Sequence, residues 1–163
     1  MTGPWPRVRR AGPEEDWTAV LDLLHAAFAP MEGRIDPPSS LARLSAADIA
    51  TRARTGAVFL AEDRNRAIGC LFAEALPDAL YCSKIAVASG HRGRGLARAL
   101  LAAAEQEARN RGLPALTLSS RVELTETHAA FRALGFAETG RSAHPGFDRP
   151  TSVAFRRPLE PRR

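Results

Sequence analysis

At Val87-Ala88-Ser89-Gly90-His91-Arg92-Gly93-Arg94-Gly95-Leu96-Ala97 the chain changes its period. Before this stretch, apolar residues run in short strand-like blocks. After it, Leu96, Ala97, Leu100, Leu101, Ala104 and Ala108 follow the helical repeat. Between the two, Gly93 and Gly95 allow a tight turn, and a turn that opens directly into a helix aims backbone N–H groups at an anion. Arg92 and Arg94 either add charge beside that anion or are simply solvated.

The turn does not match two other phosphate motifs. A nucleoside-triphosphate loop needs GxxxxGK followed by Ser or Thr, and a dinucleotide fingerprint needs a third small residue where Arg98 stands. Upstream, apolar-rich runs at 57–62, 67–76 and 79–88 are separated by a polar turn at 63–66 and by Pro77-Asp78, the pattern of an antiparallel meander. A dinucleotide fold would instead alternate strands and helices from the start.

Further outward, Val8 lies in a short strand-like run. Pro13, Glu14, Glu15 and Asp16 suit a helix start, with Trp17, Val20, Leu21, Leu24 and Phe28 on one buried stripe and His25 expected to pack beside it. Residues 29–40 carry three prolines and read as a loop. Ser45 and Asp48 form a capping pattern for a second helix that runs to Arg54 and ends at Gly56. Beyond the long helix, Gly112-Leu113-Pro114 is a stop, 116–122 a strand, and 125–134 a helix closed by Gly135. Runs at 136–141 and 151–157 are the last strands, and the tail after Pro158 is expected to fray. The order β-α-α-β-β-β-α-β-α-β-β predicts an α/β fold of the α+β type.

The 163 residues fit a single domain over 1–163, with a core at about 7–157. Hydrophobic residues at 45% and charged residues at 25% indicate a globular chain rather than a disordered one. Of 23 basic residues Lys84 is the only lysine, and the arginines are scattered without interleaved aromatics. Nucleic acid is therefore not the expected partner, although a net charge of +5 suits an anionic cofactor. Cys70 and Cys82 form neither a CxxC pair nor a metal spacing and read as buried thiols in a reducing compartment. With no apolar leader at 1–12 and no run of membrane-spanning length, a cytoplasmic protein with no membrane partner is expected.

The chain resembles the GNAT superfamily of N-acetyltransferases, whose signature after the fourth strand is R/Q-x-x-G-x-G/A. Arg92, Gly95 and Ala97 match it in frame, Leu134-Gly135-Phe136 match the usual ending of the fourth helix, and the element order agrees from about Val8 to Arg157. The resemblance implies a mixed, mostly antiparallel twisted sheet of about seven strands, flanked by four helices and splayed between strands four and five. It also implies acetyl-CoA as cosubstrate and no metal. The pantetheine arm would pair with backbone at Ile85, Ala86 and Val87, and the pyrophosphate would sit on Arg92, Gly93, Arg94, Gly95, Leu96 and Ala97. The Ile85 N–H would face the acetyl carbonyl. The implied activity is acetyl transfer to the primary amine of a small molecule. The alternatives are a protein N-terminus or lysine as acceptor, or a non-catalytic acyl-CoA-binding regulatory module, in a monomer or homodimer.

The sequence departs from this family in its proton handling. Where many members carry a tyrosine in the fourth helix, this chain has Phe131, which then packs against the cofactor; Thr127 occupies a nearby position that is often Asn. Tyr81, the only tyrosine, lies four residues before Ile85 and on the same strand face by strict alternation, which makes it a candidate proton relay. Glu123 is a second candidate base, or else an ion-pair partner of Arg121 or Lys84. His128 is expected on the helix surface. Acceptor contacts are expected from two loops, through Met31 and Arg34 in one and His144 and Phe147 in the other.

Overall fold

The computed structural model describes residues 6–161. The expected elements form in the expected order: β1 (Arg7–Arg10), α1 (Trp17–Phe28), α2 (Ala46–Thr55), β2 (Ala57–Asp63), β3 (Arg66–Leu76), β4 (Ala79–Val87), α3 (Leu96–Asn110), β5 (Ala115–Arg121), α4 (Thr125–Ala133), β6 (Ala137–Ser142) and β7 (Ser152–Pro158). The seven strands make one sheet in the order β1-β2-β3-β4-β5-β7-β6. Every pairing is antiparallel except β4 with β5, whose parallel register follows from the crossover through α3.

Strand alternation divides the core in two. Phe59, Leu71, Leu80 and Cys82 point to the face covered by α3, where Leu96, Leu100, Leu101 and Ala104 meet them. Val58, Leu60, Cys70 and Phe72 point the other way, against Val20, Leu23 and Leu24 of α1 and Ile49 of α2. Each fully buried Leu or Val on these faces contributes about 1.5–3 kcal/mol. The capping box of α2 forms as expected, Ser45 Oγ accepting from the Asp48 N–H at 3.0 Å and the Asp48 carboxylate accepting from the Ser45 N–H at 2.9 Å.

Three local expectations are corrected. The first helix begins at Trp17, with Asp16 as its cap, because the Glu15 carboxylate pairs with Arg9 and accepts from the Gly12 N–H, holding 12–15 as a turn. Leu23 is buried while Leu21 is only half buried, and His25 is exposed, since α1 meets the sheet along Val20, Leu23 and Leu24. The tail is tethered rather than frayed as far as Glu160: the Leu159 N–H donates to Pro114 O at 2.8 Å, and Arg109 donates to Glu160 O at 2.6 Å. Arg162 and Arg163 lie outside the described residues, as do Met1 to Trp5 of the N-terminal segment read for a leader.

Strand β4 is irregular where it matters most. Its register with β3 shifts between Cys70↔Ala86 and Phe72↔Ser83, so that Lys84 and Ile85 together oppose Leu71, and Lys84 takes φ +49°. Such a bulge bends and twists the strand. Pairing of β4 with β5 is confined to Leu80↔Leu116 and Tyr81↔Thr117, and beyond it the two strands splay apart.

Candidate active site

The cleft opened by that splay is a cavity of about 510 Å³. Tyr81, Lys84 and Ile85 of β4 form one wall and Ser119 and Arg121 of β5 the other. Thr127 and Phe131 of α4, Arg92 of the glycine turn, Met31 and Arg34 of the loop after α1, and His144 of the β6–β7 loop complete the lining. Eight of the residues to which the sequence points are thus brought together: Tyr81, Ile85, Arg92, Thr127, Phe131, Met31, Arg34 and His144.

The glycine turn lies at the β4 end of this cleft. Gly93 and Gly95 have φ of +75° and +80°, the left-handed region where a side chain is strained. Gly95 caps α3 with no side-chain hydrogen bond, so the first N–H groups of the helix are left for an external acceptor. Arg92 ties the turn down, donating to Val87 O at 3.5 Å and Ala27 O at 3.3 Å. Arg94 and His91 contact each other at 3.3 Å on the exposed side. Leu96 is buried against the sheet and Ala97 is half buried. A helix start without a side-chain cap, preceded by two glycines whose Cβ positions are open, suits a diphosphate.

Other expected residues are placed elsewhere. Ala86 packs toward α1 and α2, while Ile85 and Val87 pack toward α3. Tyr81 pairs with Glu74 on the face of Phe72 and Ser83. Tyr81 and Ile85 therefore lie on opposite faces, against the alternation expected, because the bulge at Lys84 inserts one residue between them. Glu123 does not line the cavity; its Oε1 is 3.9 Å from Arg149 Nη1, its charge also acts on Arg121, and its Oε2 is buried without a hydrogen bond. Phe147 is also outside the lining, with the Arg149 guanidinium over its ring at 5.4 Å. His128 is buried, not on the surface, since its Nε2 makes a 2.8 Å hydrogen bond with Arg121 O.

The cleft is roofed by ion pairs between segments far apart in sequence. Arg34 binds Glu126 through both of its terminal nitrogens, at 2.6 and 3.0 Å, and holds that carboxyl below its ordinary range. Arg121 donates to Pro37 O at 2.5 Å, and Asp36 pairs with Arg149 at 3.0 Å. His144 Nδ1 lies 2.5 Å from the hydroxyl of buried Thr151. Burial pushes the thiols of Cys70 and Cys82 up to about 12, so neither serves as a nucleophile. Sequence reasoning misses Ser119, Lys84, Arg121 and Glu126 as site residues. Period two from Thr117 points to Ser119, and the lone lysine is itself a signal for Lys84. Among the described residues no group of three or more His, Cys, Asp or Glu side chains is arranged to hold a metal, and no helix is long and apolar enough to cross a membrane.

Comparison with known proteins agrees with this geometry. Over 70 residues, 43% of this chain, the sequence is 46% identical to an aminoglycoside N(6')-acetyltransferase type 1 of Stenotrophomonas maltophilia, and the match spans 39% of that relative's length. The fold superposes on the ribosomal-protein-S18-alanine N-acetyltransferase of Escherichia coli with a TM-score of 0.69 and 21% identity, covering 96% of this chain and 95% of that one. A GNAT family acetyltransferase of Elizabethkingia anophelis with acetyl-CoA bound gives a TM-score of 0.66 at 18% identity, over 94% and 97% of the two chains. Residues 17–136, most of the chain, match the acetyltransferase (GNAT) family, and the chain belongs to it.

Proposed function

We propose that this chain transfers the acetyl group of acetyl-CoA directly to a primary amine of a small molecule. The observation that carries this reading is the cavity that joins the splayed edge of β4 at Ile85 to a polar roof. Acetyl-CoA supplies an activated thioester when bound. The turn of Arg92, Gly93, Arg94, Gly95, Leu96 and Ala97 receives the pyrophosphate at the uncapped start of α3. Ile85, Ala86 and Val87, which have no β5 partner, offer backbone to the pantetheine arm, and the Ile85 N–H donates to the acetyl oxygen as negative charge develops on it. Thr127 and the Phe131 ring pack along the same molecule. Tyr81, with its hydroxyl bonded to Ser119, relays to solvent the proton that the acceptor ammonium must lose before it attacks. Positioning supplies most of the rate, since no covalent intermediate is needed.

A small-molecule acceptor is supported by the aminoglycoside-modifying relative and by a mouth narrowed by the Arg34–Glu126 pair. Met31, Arg34 and His144 face that acceptor. Both cysteines are free and buried, which supports a cytoplasmic setting. The test is release of CoA thiol from acetyl-CoA against a library of amines, polyamino sugars and peptides, after calorimetry with CoA alone. Calorimetric binding without thiol release for any amine would leave an acyl-CoA-binding module in place of an enzyme.

A further inference from the structure

Lys84 is the only lysine among 23 basic residues, and it stands at the one break in the β3–β4 register. Its φ of +49° is in the left-handed region, a conformation a non-glycine residue keeps only where its surroundings impose it. Its carbonyl accepts from the buried Cys70 thiol at 3.5 Å, which helps to fix the bulge. The side chain lines the cleft and also an adjoining cavity of about 430 Å³ on the α2 side.

Two cations act on its ammonium, Arg52 from α2 and Arg121 from the end of β5. Glu74 of β3 and Tyr81 line the adjoining cavity, and Arg34, Arg92, Glu126 and His144 line the cleft, where Glu126 is engaged by Arg34. Burial first, then Arg52, with Arg121 adding to them and Cys70 opposing, lowers Lys84 below its ordinary value. An arginine here would stay charged. A lysine partly buried beside cations gives up its proton more readily than a free one, and the free amine is a nucleophile. The chain thus places in its own cleft the functional group that its proposed reaction consumes.

We infer that Lys84 is a self-acetylation site, its Nζ taking the acetyl group of acetyl-CoA when no acceptor amine fills the cleft. This rests on the reading of the cleft as an acetyl-CoA site. The Nζ lone pair attacks the thioester carbonyl carbon, a C–N bond forms and the C–S bond breaks. The amine proton goes to the departing thiolate through solvent. The products are Nε-acetyl-lysine at position 84 and free CoA. The acetylated side chain is a neutral amide, which removes a titratable amine from the wall and narrows the cleft.

The full chain is incubated with acetyl-CoA and no amine, then analysed by intact-mass spectrometry and peptide mapping, with CoA affinity measured separately by calorimetry. The expected result is one acetyl group on the peptide that carries Lys84. Its rate saturates with acetyl-CoA and exceeds that of the urea-unfolded chain by about 10²-fold or more. Lys84→Arg, and Lys84→Gly as a second variant suited to the left-handed backbone, lose this modification and keep CoA affinity. Measurable CoA affinity without acetylation at position 84, or with acetylation no faster than in the unfolded chain, overturns the inference alone. Absence of CoA binding overturns both it and the proposed function.

Discussion

The Tyr81 hydroxyl lies 2.9 Å from Ser119 Oγ, reaching from the last paired residue of β4 to the residue two beyond its partner Thr117 on the parallel strand β5. Two strands that part company immediately afterwards are thus joined by side chains at the narrow end of the cleft. The pair ties the hydroxyl of the only tyrosine to a second hydroxyl that lines the cavity, which is the arrangement that a proton relay needs.

Tyr81→Phe is therefore expected to lower kcat/KM by about 10²–10⁴-fold, the range of a general acid-base group. The lost bond is exposed, so stability should fall by no more than about 1 kcal/mol. Calorimetry should show unchanged CoA affinity. A variant with the parental rate and pH profile would return the role to solvent or to His144.

Glu123 should behave differently. It lies outside the cleft lining, 3.9 Å from Arg149, with Oε2 buried and unbonded. Glu123→Gln removes a partly buried charge and is expected to keep turnover within roughly tenfold, short of a general-base effect. Loss of rate with no change in melting temperature would reinstate it as the base.

The glycine turn can be tested with two substitutions at Gly95. A Cβ there meets nothing within 4 Å, so Gly95→Ala carries only the cost of φ +80°, about 1–2 kcal/mol of stability. Gly95→Asp adds a carboxylate where a pyrophosphate is expected and should weaken CoA binding well beyond the alanine variant. Equal affinities in two folded variants would remove the turn from the cofactor site.

Those parts of the molecule set by neighbours along the chain are legible in the sequence. The Ser45–Asp48 capping box, the stop at Gly112 and the glycine turn each depend on residues a few positions apart. Sequence reasoning fails where distant segments decide. Alternation puts Tyr81 and Ile85 on one face, and only the β3 register reveals the extra residue at Lys84 that separates them. Helical position makes His128 look solvated, yet the carbonyl of Arg121 draws it inward. Arg149 of the β6–β7 loop engages Glu123, a contact no spacing encodes.

Acid should probe the N-terminal anchor. Arg9 pairs with both Glu15 and Glu62, and chiefly its hydrogen bond holds the Glu15 carboxyl below the ordinary value of 4.5. A carboxyl whose folded pKa is depressed contributes stability above its unfolded pKa, and that contribution is lost as pH falls through the folded pKa. The melting temperature of the parent should exceed that of Glu15→Gln near neutrality, with the gap closing below about pH 4.5. A gap unchanged down to strong acid would assign the difference to packing.

Phe131 offers the sharpest contrast between packing and chemistry. Its ring meets Phe155 edge-on at 5.6 Å between centroids and Phe136 at 6.2 Å, so one part is held in the core while another lines the cleft. Truncation should be costly: Phe131→Ala loses both ring contacts and is expected to destabilise the fold by about 2–4 kcal/mol. Phe131→Tyr keeps both, and adds a hydroxyl at the position where the resemblance read from the sequence leads one to expect a tyrosine acid. Because the ring already borders open space, the added oxygen need not be buried, and the melting temperature should change little. Turnover is expected to persist, with any gain in kcat rather than in CoA affinity, since a proton donor acts on the departing thiolate and not on binding. A gain should come with a new alkaline limb in the pH profile as the phenol ionises near its ordinary value of about 10. A stable Phe131→Tyr variant without turnover, beside an active parent, would show that this wall must stay apolar, and the proton would then have to leave by another route.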